Sequence, residues 1–174
     1  MTGNKEQALL YVASMPEDVI LTISKFKPKR SPNQNAYYWK LATELANYNN
    51  IDKTEQHNIL LRRYGQPLEI AGERTYVFIP DTDEAEEQAL KAETFHIKPT
   101  SQVKEGKGGI NYRAYVNLLG SSHYNSTEMY HLLQGLIMEA QNAGINTLTP
   151  KEIARMKAED EAIEKMQREK RNSR

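Results

Sequence analysis

The spacing of hydrophobic and polar positions changes several times along the chain, and each change marks an element. Asn4 to Met15 carries Ala8, Leu9 and Val12 at helical spacing behind a capping Asn4, which predicts a short helix ended by Pro16. From Val19 to Phe26 the period drops to two, with Val19, Leu21 and Ile23 set against Ile20, Thr22 and Ser24. Its β-branched content predicts a strand leading into the basic loop Lys27-Pro28-Lys29-Arg30. Ser31-Pro32 opens a longer helix, because serine caps free amides and proline suits the first helical position. Tyr38, Leu41, Leu45 and Tyr48 form its stripe, flanked by Ala42 and Ala46, and carry it to about Asn47. Another helix is expected from Asp52 or Thr54 to Arg63, with Ile59 and Leu60 facing inward and Gly65 just past its end.

The middle of the chain reads as strand-rich. Leu68 to Ile70 and Thr75 to Ile79 predict a hairpin around Ala71-Gly72-Glu73, with Tyr76 and Phe78 on one face and Val77 and Ile79 on the other. Asp81 to Leu90 reads as a short acidic helix or a polar excursion, and Phe95-His96-Ile97 as a short strand. Thr100 to Asn111 is expected to be a mobile basic loop, since Lys104 and Lys107 sit among Gly106, Gly108 and Gly109. Tyr112 to Leu119 returns to strand. After a Gly120-Ser121-Ser122 turn, Ser126 or Thr127 caps a helix through Ala143 whose apolar face is Met129, Leu132, Leu133, Leu136, Ile137 and Ala140. Thr149, Pro150 and Glu152 make a capping box for a final helix with a thin stripe of Ile153, Met156, Ile163 and Met166. With 14 charged residues between Lys151 and Arg174, its distal part is expected to project, fray or pack on a partner chain. The expected fold class is α+β. A small twisted mixed β-sheet with packed helices fills residues 1–148, and a long charged C-terminal helix follows over 149–174.

Composition narrows the chemistry. A chain of 174 residues can bury a core without covalent staples, and the absence of cysteine excludes disulfides, thiol nucleophiles and cysteine-based metal sites. No run approaches the roughly 18 apolar residues of a spanning helix, and Met1 to Glu6 lacks an apolar leader core. No membrane association and a cytoplasmic location are therefore expected. Lys and Arg number 23, as do Asp and Glu, so the formal charge of zero gives no support to a nucleic-acid partner. Its distribution is uneven, however. Lys25, Lys27, Lys29, Arg30 and Lys40 lie in a stretch without acids from Val19 to Thr43, whereas Asp81, Asp83, Glu84, Glu86 and Glu87 lie together without a base.

The four histidines, His57, His96, His123 and His131, fall in four separate elements with no metal-binding spacing, and Gly106-Lys107-Gly108-Gly109 lacks the spacing of a phosphate-binding loop. No catalytic residue, metal or cofactor is assigned. A metal-dependent DNA nuclease remains an alternative, assembling Asp81 or Asp83 with Glu128. Such chemistry needs carboxylates gathered around ions about 4 Å apart.

The residues also suit single-stranded DNA. Lys25, Lys27, Lys29 and Arg30 meet the amino end of the Ser31 helix, where free amides and basic side chains together suit a phosphate. Asn33, Gln34 and Asn35 add neutral amides in the first turn. Tyr37, Tyr38 and Trp39 cannot all face the core, and Trp39 is the expected outward ring for stacking on a base. Lys104, Lys107 and Arg113 supply a second basic segment. The structural alternative is that Trp39 completes the core and the lysines are ordinary solvent-facing charges.

Lys29 through Trp39 resembles the NinB (Orf) family of lambdoid phage recombination proteins, which has a similar arginine–serine, glutamine–asparagine and tryptophan pattern after a short strand. Arg30, Ser31, Gln34, Asn35 and Trp39 match that pattern, and the order of elements is similar over roughly residues 5–148. The Gly120-Ser121-Ser122 turn, the Thr127-Glu128-Met129 helix start and the closing Leu148-Thr149-Pro150 are also similar to hypothetical proteins of Gram-positive phages. The resemblance implies a homodimer in the cytoplasm of a bacterial host cell that binds single-stranded DNA and assists recombinase loading beside the host single-strand-binding protein, without established catalysis; it would make the nuclease alternative a phage nuclease. The chain departs from the pattern by lacking a strand before its first helix, and by adding the acidic segment 81–87 and the charged tail. A protein adaptor that never touches DNA and docks through its last helix is the other alternative.

Overall fold

A computed structural model describes residues 5–16 and 32–172. The strand expected over Val19 to Phe26, the basic residues Lys25, Lys27, Lys29 and Arg30, and the expected cap Ser31 lie outside the described residues. Helices α1 (Lys5–Ala13), α2 (Pro32–Asn49) and α3 (Lys53–Tyr64) come first. α2 ends where Asn50 takes a left-handed φ of 54° and the Ile51 amide reaches back to the Ala46 carbonyl at 3.1 Å. Asparagine tolerates that conformation better than most residues, which makes it a fitting stop. The Asp52 side chain then accepts from the Thr54 amide at 2.6 Å and starts α3, a bond that holds its carboxyl below the usual range. Gly65 closes α3 with extended backbone, because a Cβ there would lie 2.5 Å from the Leu61 carbonyl oxygen.

Strands β1 (Glu69–Ile70) and β2 (Glu73–Arg74) form a tight hairpin, with Ala71 at φ 53° and Gly72 at φ 85° in its turn. The expected hairpin partner, the segment from Thr75, keeps two bonds to the Leu68 carbonyl, from the Thr75 amide and hydroxyl at 3.1 Å each, but β3 (Tyr76–Pro80) then pairs elsewhere. β4 (Ile97–Glu105) and β5 (Asn111–Asn117) follow α4 (Asp83–Lys91), and the sheet order is β3-β5-β4 with every pair antiparallel. The sheet is thus antiparallel rather than mixed. The segment expected to be a mobile loop is mostly strand: β4 runs to Glu105, and a turn closed by the Gly106 amide on the Ile110 carbonyl at 2.8 Å returns the chain. Only Gly108 and Gly109, at φ 80° and 76°, need glycine's freedom there.

α5 (Ser126–Asn142) is capped by Asn125, not Ser126, in a reciprocal box with Glu128. α6 (Pro150–Asn172) begins with the expected box, Thr149 and Glu152 bonding each other's amides at 2.8 and 3.3 Å. The main core joins α2, α3, α5 and the start of α6 through Tyr38, Leu41, Leu45, Leu60, Leu61, Leu132, Leu133, Leu136 and Ile153. Tyr48, placed on the α2 stripe by its spacing, is 64% exposed because the last turn of the helix runs past that core. A smaller cluster of Ala89, Ile97 and Tyr115, with Val77 and Ile79, packs α4 on one side of the sheet. α3 holds both parts together. Arg62 bonds the Ile97 carbonyl at 2.9 Å and Glu86 at 2.8 Å, and Asn58 donates to the Leu90 and Ala92 carbonyls at the end of α4. Among the described residues no helix is long and apolar enough to cross a membrane.

Candidate nucleic-acid interface

Strand register decides which side chains share a surface. Val77, Ile79 and Tyr115 turn toward α4, so their neighbours Tyr76, Phe78 and Pro80 on β3 and Tyr112, Ala114 and Val116 on β5 share the opposite side. Lys98 and Lys104 of β4 pair with Val116 and Tyr112 and stand on that side too. Tyr76 is 51% and Phe78 42% exposed, against the near-complete burial of Tyr115 on the covered side. The result is an open sheet face with three aromatic rings, two lysines and no carboxylate among these eight positions. Lys104 reaches across the central strand, and its Nζ lies 3.5 Å from the centre of the Phe78 ring. Ala114, opposite Phe78, is small enough to leave that path open. The Tyr112 ring lies against Gly106, where a Cβ would come within 2.6 Å of its Cε2 atom. Lys107 is exposed in the adjoining turn.

The amino end of α2 is more enclosed than expected. Asn33 is exposed but donates to the Asp160 carboxylate of α6 at 3.3 Å, and Gln34 and Asp160 are fully buried. Asn35 is half-buried. An acidic side chain therefore already stands at this helix start, which suits the positive end of the helix dipole and competes with any phosphate.

Trp39 does not stand clear of the surface. It is half-buried against the main core, its ring 4.7 Å from that of His57 and edge-on to Tyr38 at 5.4 Å. His57, within hydrogen-bond distance of the Tyr38 hydroxyl at 2.6 Å, also meets His96 edge-on at 5.5 Å. Histidines from separate elements thus meet in a packed aromatic group, and burial pushes the His96 imidazole below its usual pKa. His123 and His131 are exposed.

Arg113 is not on the open face. It pairs with Ile79 and Val103 on the side of Tyr115, and its guanidinium grips Asp81 at 2.7 and 3.2 Å and the Thr100 carbonyl at 2.9 Å. The hydrogen bond it donates to Asp81 raises its pKa further. Arg113 and Asp81, expected in separate basic and acidic patches, are instead one clamp between β3 and β4. Glu128 receives the Asn125 amide at 2.9 Å in its own helix cap. Among the described residues no three His, Asp or Glu side chains gather in a way that suits a metal ion.

Tyr76, Phe78, Tyr112 and Lys98 were not among the expected binding residues. The separation of Tyr76 and Phe78 from Val77 and Ile79 was visible in the spacing, but which face stays open depends on where α4 packs. No protein-family model, curated protein or solved structure matches this chain. The class that fold and surface define is an α+β protein with one helix-covered and one open sheet face.

Proposed function

We propose that this protein binds single-stranded DNA and serves as an accessory factor in phage homologous recombination, assisting recombinase loading as a homodimer beside the host single-strand-binding protein. The observation that carries the binding part is the open face on which Tyr76, Phe78 and Tyr112 lie among Lys98 and Lys104. Unpaired bases offer their flat faces to such rings, each stack being worth about 1–3 kcal/mol, while lysines take the phosphates. Bases stacked inside a duplex cannot do this, so the face selects single strands. The recombination part rests on the resemblance of residues 29–39 to the NinB (Orf) family. The cytoplasmic location belongs with that reading.

A nuclease is less well supported, since Asp81 is held by Arg113 and Glu128 by its own cap. The adaptor alternative draws on the distal part of α6, where Met166 is 54% exposed. The test is fluorescence anisotropy of labelled single- and double-stranded oligonucleotides at two salt concentrations with magnesium present, followed by a denaturing gel. The expected result is salt-sensitive binding to single strands that remain intact, weakened about tenfold or more in Tyr76→Ala/Phe78→Ala, in line with about 1–3 kcal/mol per lost stack. Cut strands would transfer the assignment to the nuclease, and no binding at low salt would leave the adaptor.

A further inference from the structure

Phe78 is 42% exposed, yet one face of its ring already carries the Lys104 ammonium, 3.5 Å from the ring centre. The lysine comes from β4 and the ring from β3, on opposite edges of the sheet. The side chain therefore spans β5, over Ala114, which is only 1% exposed although it lies on the open side. A base cannot stack on that face of Phe78 while the ammonium stays there. We propose that Lys104 is the specificity-determining residue of the single-strand site: it covers Phe78 in the free protein and leaves the ring when a backbone phosphate draws it off. The ring face is thereby offered to bases that arrive linked by phosphates, and withheld from neutral aromatic groups such as free nucleosides. This inference rests on the single-strand reading above.

Two general magnitudes make the exchange feasible. An exposed cation–aromatic contact is worth only about 0.5–1 kcal/mol. Base stacking on the uncovered ring and one neutralised phosphate each offer at least as much at low salt. Lys98 flanks the same face across from Val116 and has no such role, so it is the internal control.

The experiment compares a short oligothymidylate with its uncharged methylphosphonate analogue, binding each to the wild type, Lys104→Ala, Lys98→Ala and Phe78→Ala. Circular dichroism checks that each variant is folded. In Lys104→Ala the charged strand is expected to bind more weakly at low salt, with the log–log salt slope reduced by about 0.7. The same variant should bind the uncharged analogue about two- to fivefold more tightly than the wild type does. Lys98→Ala should lose affinity for the charged strand only, and Phe78→Ala for both. If Lys104→Ala leaves binding of the uncharged analogue unchanged or weakens it, Lys104 is a plain phosphate contact or a structural one and the proposal fails. If the wild type binds no charged strand at low salt, the single-strand reading fails and this inference with it.

Discussion

Arg113 and Lys104 lie on two neighbouring strands, and at the level of composition both are free cations in one basic segment. Strand register separates them. Residues on β5 alternate sides, so Arg113 turns with Tyr115 toward the helix-covered side, while Tyr112 turns toward the open one. There Arg113 is spent on Asp81 and the Thr100 carbonyl, and Lys104 is left over an aromatic ring. The two should separate by experiment. Arg113→Met is expected to lower the melting temperature, because it strands the Asp81 carboxylate, and to leave the salt dependence of DNA binding unchanged. A reduced salt slope in a folded Arg113→Met protein would return that residue to the phosphate-binding set. Trp39 teaches the same lesson from the other direction. The 100° spacing of Tyr37, Tyr38 and Trp39 shows that they diverge, but not that α3 brings His57 up against the indole. A neighbouring element decides where such a ring ends up, and one helix's periodicity carries no information about it.

At the scale of elements, what was legible in the sequence is what depends on local chemistry. The capping box of Thr149 and Glu152, the proline at the start of α2 and the six-residue apolar face of α5 all concern neighbours three or four residues apart. The hairpin turn at Ala71-Gly72 forms as its residues suggest, but strand pairing beyond it is a long-range matter, and there the local reading failed. Thr75 to Ile79 was matched with its nearest neighbour in the chain, whereas β3 takes β5 as its partner across the intervening α4 and β4. The glycines and lysines of 104–109 suggested a long loop, but they occupy the end of a strand and a short turn. Close helix packing was equally hidden. Gly135 lies within α5, where glycine is ordinarily unfavourable, because the Tyr64 ring of α3 occupies the space of its Cβ at 2.4 Å. Gly135→Ala would gain helix propensity of about 1 kcal/mol in an open setting. Here overpacking should dominate and lower stability by about 1–3 kcal/mol in urea denaturation. A midpoint that stays put or rises would show that the α3–α5 contact is looser than described.

For the molecule as a whole, the helices and the sheet divide the work. α2, α3, α5 and the first turns of α6 make the larger core, and α3 ties α4 and β4 to it through Arg62 and Asn58. Among the described residues one face of a three-stranded sheet is thereby filled and the other left open, so the exposed rings follow from covering a small sheet on one side only. The fold class was legible from the order of elements. The open aromatic face was not, because it depends on where α4 packs, and it lies in a different part of the chain from the densest basic run of the sequence. The most direct test of the central claim, that unpaired bases lie on the open sheet face, is an amide chemical-shift titration of the isotope-labelled protein with a short oligothymidylate. The largest shifts are expected to cluster at 76–80, 98–107 and 112–116, with residues 33–39 of α2 little affected. Saturable shifts centred on the amino end of α2, with the sheet silent, would contradict it.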